Sequence, residues 1–202
     1  VCTTNDQCAS GACSSGQCVE YPTITRVAPL DGAPGNFMTI FGRNFGSSPG
    51  VVTFLGGSGV TDDVAASSPA ACGSAQTWRD DRVIVVVPQG AAGGPLNLTN
   101  TAGFYDDTAN TRGFQGNFTP SSTVRPGLCA VTPTEGAFGA ALSAAGVNFG
   151  AEAGSVTIGG EQAGGALAWS ATTIGGGTVP NLAAGIVDVV VAQGSESSNP
   201  VS

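Results

Sequence analysis

The sequence has no lysine and no histidine, and its six arginines stand against fourteen acidic residues, giving a net charge of −8. The commonest general base and the amine nucleophile are therefore both missing, which narrows the catalytic chemistry open to the chain. The balance is −2 over residues 1–21, −2 over 22–118 and −4 over 119–202, so no part of the chain is basic. Nucleic acids and anionic membranes reward basic patches, and neither is an expected partner. Long apolar runs are missing too. Residues 83–87 (VIVVV) and 186–192 fall far short of the roughly 20 residues that span a bilayer, so no membrane insertion is expected. Helical periodicity is also absent, and 32 glycines punctuate short segments rich in β-branched residues, which reads as an all-β chain with many turns. The first residue is Val, with no basic, apolar leader before it, so a processed or trimmed chain is expected.

What is present is a repeat. RNFGSSPGVVTFLG at residues 43–56 returns as VNFGAEAGSVTIGG at residues 147–160. A constant shift of 104 positions carries Pro22, Val27, Pro29, Gly32, Gly35 and Gly42 onto Pro126, Val131, Pro133, Gly136, Gly139 and Gly146. Trp78 and Trp169 match at a shift of 91, so the first copy carries an insertion of about a dozen residues before its Trp. Strands are legible in the first copy as TITRVAP, FMTIFG, VVTFLG, RVIVVVP and PLNLTN. Met38 with Ile40, and Val52 with Phe54, share core-facing sides, and their counterparts Leu142, Ala144, Val156 and Ile158 repeat that face. In the repeated G-x-N-F-G, the glycines allow a tight strand exit while Phe45 and Phe149 plug the end of each unit. No helix follows the loop and no Lys accompanies it, so it is not a phosphate cradle. Small residues in the second copy, namely Ala144, Ala145, Ala166, Ala168 and 175–177, predict a thin core.

Cysteines supply the compartment. Cys2, Cys8, Cys13 and Cys18 lie in a stretch too polar and small-sided to build a core, so disulfides are expected to hold it. Of the three pairings, Cys2 with Cys13 and Cys8 with Cys18 compacts the segment best, although sequence does not prove the choice. A four-cysteine zinc site is the rival, but the short C-x-x-C pairs are absent. Cys72 and Cys129 complete an even count; a bridge between them would staple the two copies, the alternatives being buried thiols or intermolecular pairing. An exported protein is implied.

Other candidate groups are weaker. Asp62 with Asp63, Asp80 with Asp81 and Asp106 with Asp107 read as loop residues, of which Asp62, Asp63, Asp106 and Asp107 are the candidates for a calcium site. Adjacent residues on an extended chain point opposite ways and no D-x-D-x-D-G loop is present, so solvated turns are the plainer reading, and no cofactor is expected. Trp78 and Trp169 can stack on sugar, but equivalent places in both copies favour core packing. Asn97 (NLT) and Asn117 (NFT) match N-glycosylation acceptors, and Thr119, Ser121, Ser122 and Thr123 are O-glycosylation candidates within a Ser/Thr/Pro-rich linker.

PTITRVAPLDGAPGNFMTIFGRNFG, then VTF, VIVVVPQG and GGPLNLTN, resembles the IPT/TIG module (immunoglobulin-like, plexin, transcription factor), whose pattern runs P-x-I-x-x-[IV]-x-P, G-x-x-G, a strand ending G-x-x-F, V-x-F and V-x-V-P. The second copy is similar more loosely, with Leu128 for the Ile and IGGGTVP for the V-x-V-P strand, and the start resembles small secreted modules spaced C-x5-C-x4-C-x4-C. The resemblance implies two tandem immunoglobulin-like β-sandwiches preceded by a small disulfide-rich segment: residues 1–21, a sandwich at 22–118, a linker at 119–125 and a sandwich at 126–202. It does not choose a function. The leading expectation is a non-enzymatic structural or adhesive protein of an extracellular surface, assembling with copies of itself or with other surface proteins and extending to the subunit of a fibre. The alternative is a polysaccharide-binding accessory region of a larger secreted enzyme; a Rel-like nucleic-acid binder is opposed by the charge.

Overall fold

The structure is a computed structural model and describes residues 1–8, 13–57, 59–72, 77–110 and 112–202, with side chains 59–61 also outside the description. A short hairpin opens it, β1 (Cys13–Ser14) and β2 (Gln17–Cys18), preceded by one 3-10 turn at Asn5–Gln7. With so little apolar surface, the segment is closed covalently: Cys2 bonds Cys13 and Cys8 bonds Cys18. Tyr21 joins it to the first sandwich, edge-on to Phe104 and beneath the Arg112 guanidinium.

The first sandwich comprises β3 (Thr23–Ala28), β4 (Asp31–Gly32), β5 (Phe37–Arg43), β6 (Val51–Gly56), β7 (Gly59–Ala65), β8 (Arg82–Val86), β9 (Ala91–Thr99), β10 (Tyr105–Asp107) and β11 (Thr119–Pro120). One sheet has the order β3-β5-β8, the facing sheet β10-β9-β6-β7, and β11 pairs in parallel with β4. Between the sheets lie Ile24, Val27, Met38, Ile40, Phe45, Phe54, Val83, Leu96 and Phe118, all buried.

The second sandwich comprises β12 (Gly127–Thr132), β13 (Ala141–Val147), β14 (Ser155–Ile158), β15 (Glu161–Gln162), β16 (Ala168–Trp169), β17 (Thr173–Thr178), β18 (Val189–Gln193) and β19 (Glu196–Ser197), in sheets β12-β13-β17-β16 and β15-β14-β18-β19. The repeat is kept in detail. β12 and β13 begin and end 104 positions after β3 and β5, and the irregularity between Ile24 and Arg26 recurs between Leu128 and Ala130. Asn44 and Asn148 both take positive φ (61° and 58°). A side chain at Gly42 would strike the Thr23 carbonyl and the Phe45 ring; at Gly146 it would strike the Gly127 carbonyl and the Phe149 ring. The two phenylalanines are fully buried, and the glycines give their rings room. Both tryptophans are half-buried against the cores, and each indole N–H donates to the backbone carbonyl of its partner phenylalanine, Trp78 to Phe45 (3.3 Å) and Trp169 to Phe149 (2.8 Å).

The two sandwiches share a core. On β5 and β8 the inward residues Met38, Ile40, Val83 and Val85 are buried in the first sandwich, while the outward residues Phe37 and Ile84 are buried in the hydrophobic cluster of the second. Strands β5 and β8 are thus covered on both faces, which is why they read as nearly continuous apolar runs, whereas β3 keeps Thr25 exposed. The counterpart of β5, β13, alternates, with Leu142 and Ala144 inward and Ala141, Ser143 and Ala145 exposed. Of the small residues that predict a thin second core, Ala145, Ala166 and Ala168 in fact face solvent; Ala144 and Gly177 are the buried ones, and Phe37 and Ile84 add bulk from the neighbouring sandwich.

Polar groups fix the junction. Asn199, 1% exposed, accepts from the Leu128 N–H (2.8 Å) and donates through Nδ2 to the Leu128 carbonyl and to Thr39 Oγ1, both at 2.9 Å; Thr39 Oγ1 in turn donates to the Pro200 carbonyl. Arg26 forms a two-pronged pair with Asp188 (2.5 and 2.8 Å) while lying over the Phe41 ring. Arg125 binds both Asp31 oxygens (2.9 and 2.6 Å) and Glu196 (3.1 Å). The Asp31 carboxylate foremost, with Glu196, raises the Arg125 guanidinium above the usual arginine range against the opposing effect of burial. The Cys72–Cys129 disulfide ties the first sandwich's insertion to β12. Residues 119–125, whose composition suggests a loose linker, are held by β11 and by Asn36, which donates to the Thr123 carbonyl and accepts from the Arg125 N–H. No helix among the described residues is long and apolar enough to cross a membrane.

Phe37→Ala should lower unfolding stability by about 3–5 kcal/mol and split the urea transition into two, one for each sandwich; a single unchanged transition would show that the shared core is not the coupling element. The Cys72→Ser, Cys129→Ser double variant should fold but lose about 2–4 kcal/mol, read from the same urea curves, while mass spectrometry of the unreduced native chain should find no alkylatable thiol.

Candidate functional site

The candidate residues of the first sandwich do not converge on a reaction centre. Asp62 and Asp63 lie exposed on β7, and Asp106 and Asp107 lie on β10; both pairs stand on strands, where the sequence suggests loops. Asp106 is wholly buried, accepting from the Ile24 N–H (2.7 Å) and from Asn110 Nδ2 (2.5 Å), and Asp107 accepts from the backbone N–H groups of Ala109 and Asn110. Those carboxylates already hold structural donors. Asp80 Oδ1 likewise accepts from the Gly46 N–H (2.9 Å), closing the repeated loop, and Asp81 pairs with Arg79. Among the described residues, the one group of three metal-binding side chains is Cys2, Cys8 and Cys18, and all three sulfurs are in disulfides.

The glycosylation candidates are placed unevenly. Asn97 is half-buried on β9, and its side-chain carbonyl accepts from Thr99 Oγ1 (2.9 Å), whereas Asn117 is exposed immediately before the buried Phe118. Thr119 and Ser122 are exposed, and Ser121 and Thr123 half-buried.

Two concave regions stand out. The first, about 420 Å³ at the junction, is lined by Arg26, Arg125, Asp188 and Glu196, whose charges are already paired across it. The second is larger, about 780 Å³, and is lined mainly by the second sandwich, with Arg79, Asp81 and Arg82 of the first. Its floor is apolar, including Val131, Leu142, Ile158, Val179, Val187 and Val189. Phe138, 74% exposed, and Ile186, 91% exposed, stand at its sides, an unusual amount of large apolar surface left to solvent. Arg82 is among the lining residues, its Nη1 donating to the Ser202 carbonyl, and burial depresses its guanidinium below the usual arginine range. Nothing in the sequence flags this groove directly.

The lining also includes the charged residues Arg79, Asp81, Arg82 and Glu135.

The chain is 42% identical over 73 residues to a cyclomaltodextrin glucanotransferase of Niallia circulans and 44% identical over 73 residues to that of Bacillus licheniformis. Each match covers 36% of this chain and 8% of the relative, so the chain spans less than a tenth of the length of these curated relatives. Among solved structures, the full extracellular region of plexin A4 aligns over 92% of this chain and 18% of its own, at 16% identity and a TM-score of 0.37. The family model for the IPT/TIG domain matches residues 22–119, and the first sandwich of this all-β chain is an IPT/TIG domain.

Proposed function

We propose that the chain is a non-enzymatic structural or adhesive component of an extracellular surface, able to assemble with copies of itself or with other surface proteins. The observation that carries this reading is the junction. A buried sheet face, a disulfide and two sets of charge-assisted hydrogen bonds hold two sandwiches in one fixed relation, while Asp106, Asp107 and both indole N–H groups are engaged in structure. Three disulfides and no free cysteine among the described residues suit an oxidising, extracellular setting. The strand edges β7, β15 and β16 carry unpaired backbone groups that a neighbouring molecule can satisfy.

A second reading has its own support. The relatives at 42–44% identity are named as glucanotransferases, and this chain matches a small part of them, which suits an accessory polysaccharide-binding region of a larger secreted enzyme. Against it, Trp78 and Trp169 are half-buried with their indole N–H groups bonded internally, a poor arrangement for stacking on a sugar ring.

Electron microscopy of the native source, light scattering of the oxidised chain and affinity electrophoresis through soluble glucans separate the two. The structural reading expects an ordered polymer or lattice at the source and no glucan retardation. Saturable retardation abolished by Trp78→Ala or Trp169→Ala, with no ordered assembly at the source, would overturn it in favour of the carbohydrate reading.

A further inference from the structure

The N-terminal segment brings four sulfurs to one place. Cys8 and Cys18 share one bridge and Cys2 belongs to the other, yet the sulfurs of Cys2, Cys8 and Cys18 all lie within 4.8 Å of one another. Two constraints carry the fourth sulfur there: Cys13 is bonded to Cys2, and the β1–β2 hairpin sets Cys13 opposite Cys18. Cross-strand partners point to the same side of a hairpin, so this pairing does through space what a C-x-x-C spacing does along a chain. The backbone beneath has holds besides the bridges. The Cys2 N–H donates to the Gly16 carbonyl (2.9 Å), the Cys8 N–H to the Asn5 carbonyl (3.1 Å) and the Cys13 N–H to Asn5 Oδ1 (2.8 Å).

Four sulfurs grouped in this way match one kind of ligand. Zinc takes four thiolates in a tetrahedron at about 2.3 Å, which sets the sulfurs about 3.8 Å apart. With the bridges opened, bonded sulfurs separate and the two pairs draw together, a rearrangement confined to side chains that already adjoin. Thiolates are soft donors and favour zinc over magnesium or calcium. The segment has too little apolar surface to close itself, so a chain whose thiols are not yet oxidised depends on a metal for its crosslink.

We propose that the reduced N-terminal segment is a zinc site, in which the thiolates of Cys2, Cys8, Cys13 and Cys18 hold one ion, and that the ion and the two disulfides are alternative closures of the same segment. Opening each bridge adds two electrons and two protons and gives two thiols; zinc then displaces the four thiol protons. A newly made chain carries these thiols without any reductant, and zinc there keeps them from pairing with Cys72 or Cys129. Two equivalents of a disulfide donor, each reduced to its dithiol, then form the bridges and expel the ion. The inference goes beyond both readings of the chain's function and holds on either.

The test uses the full chain carrying Cys72→Ser and Cys129→Ser, so that the N-terminal thiols alone remain. It is reduced under inert gas by a phosphine, which takes oxygen from water to become its oxide. Cobalt(II), titrated as the spectroscopic stand-in, should saturate at one equivalent with the intense visible bands and thiolate charge-transfer absorption of a tetrahedral sulfur site, and one equivalent of zinc should remove them. The zinc Kd should lie below about 1 μM. Cys8→Ser or Cys18→Ser should weaken binding at least about a hundredfold, more than loss of an outer partner costs, while the circular dichroism of the sandwiches stays unchanged. The reduced parent chain, titrated alongside, covers failure of the double variant to fold, and the same single equivalent is expected. Weak six-coordinate cobalt spectra, saturation at another ratio or unchanged affinity in Cys8→Ser would overturn the proposal. So would tetrahedral cobalt uptake by the oxidised chain, whose sulfurs are all engaged in bridges.

Discussion

The two-sided burial of β5 and β8 is the constraint on which the rest of the arrangement depends. A sheet with one wet face needs alternation, and a sheet covered on both faces tolerates none. Phe37, Thr39 and Ile84 point away from their own core and yet are 6%, 0% and 0% exposed, because the second sandwich lies on them. Once that face is dry, its polar atom needs partners: Thr39 Oγ1 has both Asn199 Nδ2 and the Pro200 carbonyl. The Arg26–Asp188 and Arg125–Asp31–Glu196 pairs and the disulfide then stand around the rim of a contact whose position the apolar side chains determine.

The duplication kept its geometry and changed its chemistry where the two copies meet different neighbours. Asp106 and Asn199 occupy matching places, each accepting from the backbone N–H of the corresponding residue of its first strand, Ile24 or Leu128. A carboxylate only accepts, and Asp106 is surrounded by donors, the Ile24 N–H and Asn110 Nδ2. An amide also donates, and Asn199 faces the Leu128 carbonyl and the Thr39 hydroxyl. One atom's difference turns an internal lock into an inter-sandwich one.

Much of this was legible in the residues. The repeat gives strand boundaries and the glycine that admits the phenylalanine ring at a shift of 104, and the tryptophan that caps it at a shift of 91, since each is a local steric requirement. The interleaved cysteine pairs of the N-terminal segment are those present in the structure. The junction was harder to see, although its trace lay in FMTIF and VIVVV, runs without alternation whose counterpart ALSAA alternates. Alternation tells how many faces are dry; it does not tell which neighbour dries the second one. Residues 119–125 are rich in Ser, Thr and Pro, yet β4 and Asn36 supply partners for their backbone groups.

The Cys72–Cys129 bond has a consequence for a chain held in tension at its two ends. Force entering the first sandwich passes from Cys72 directly to Cys129, so β8, β9, β10 and β11 lie off the load path. A separation of 57 residues, at about 3.3–3.6 Å each when extended, withholds roughly 190–200 Å from any stretching of the chain. Pulling can peel β3, β5, β6 and β7 from that shielded half, but it cannot draw the half itself out straight while the sulfur bond is intact. The pair of sandwiches is thereby given a hard limit of extension, set by one covalent link and not by the strength of either fold.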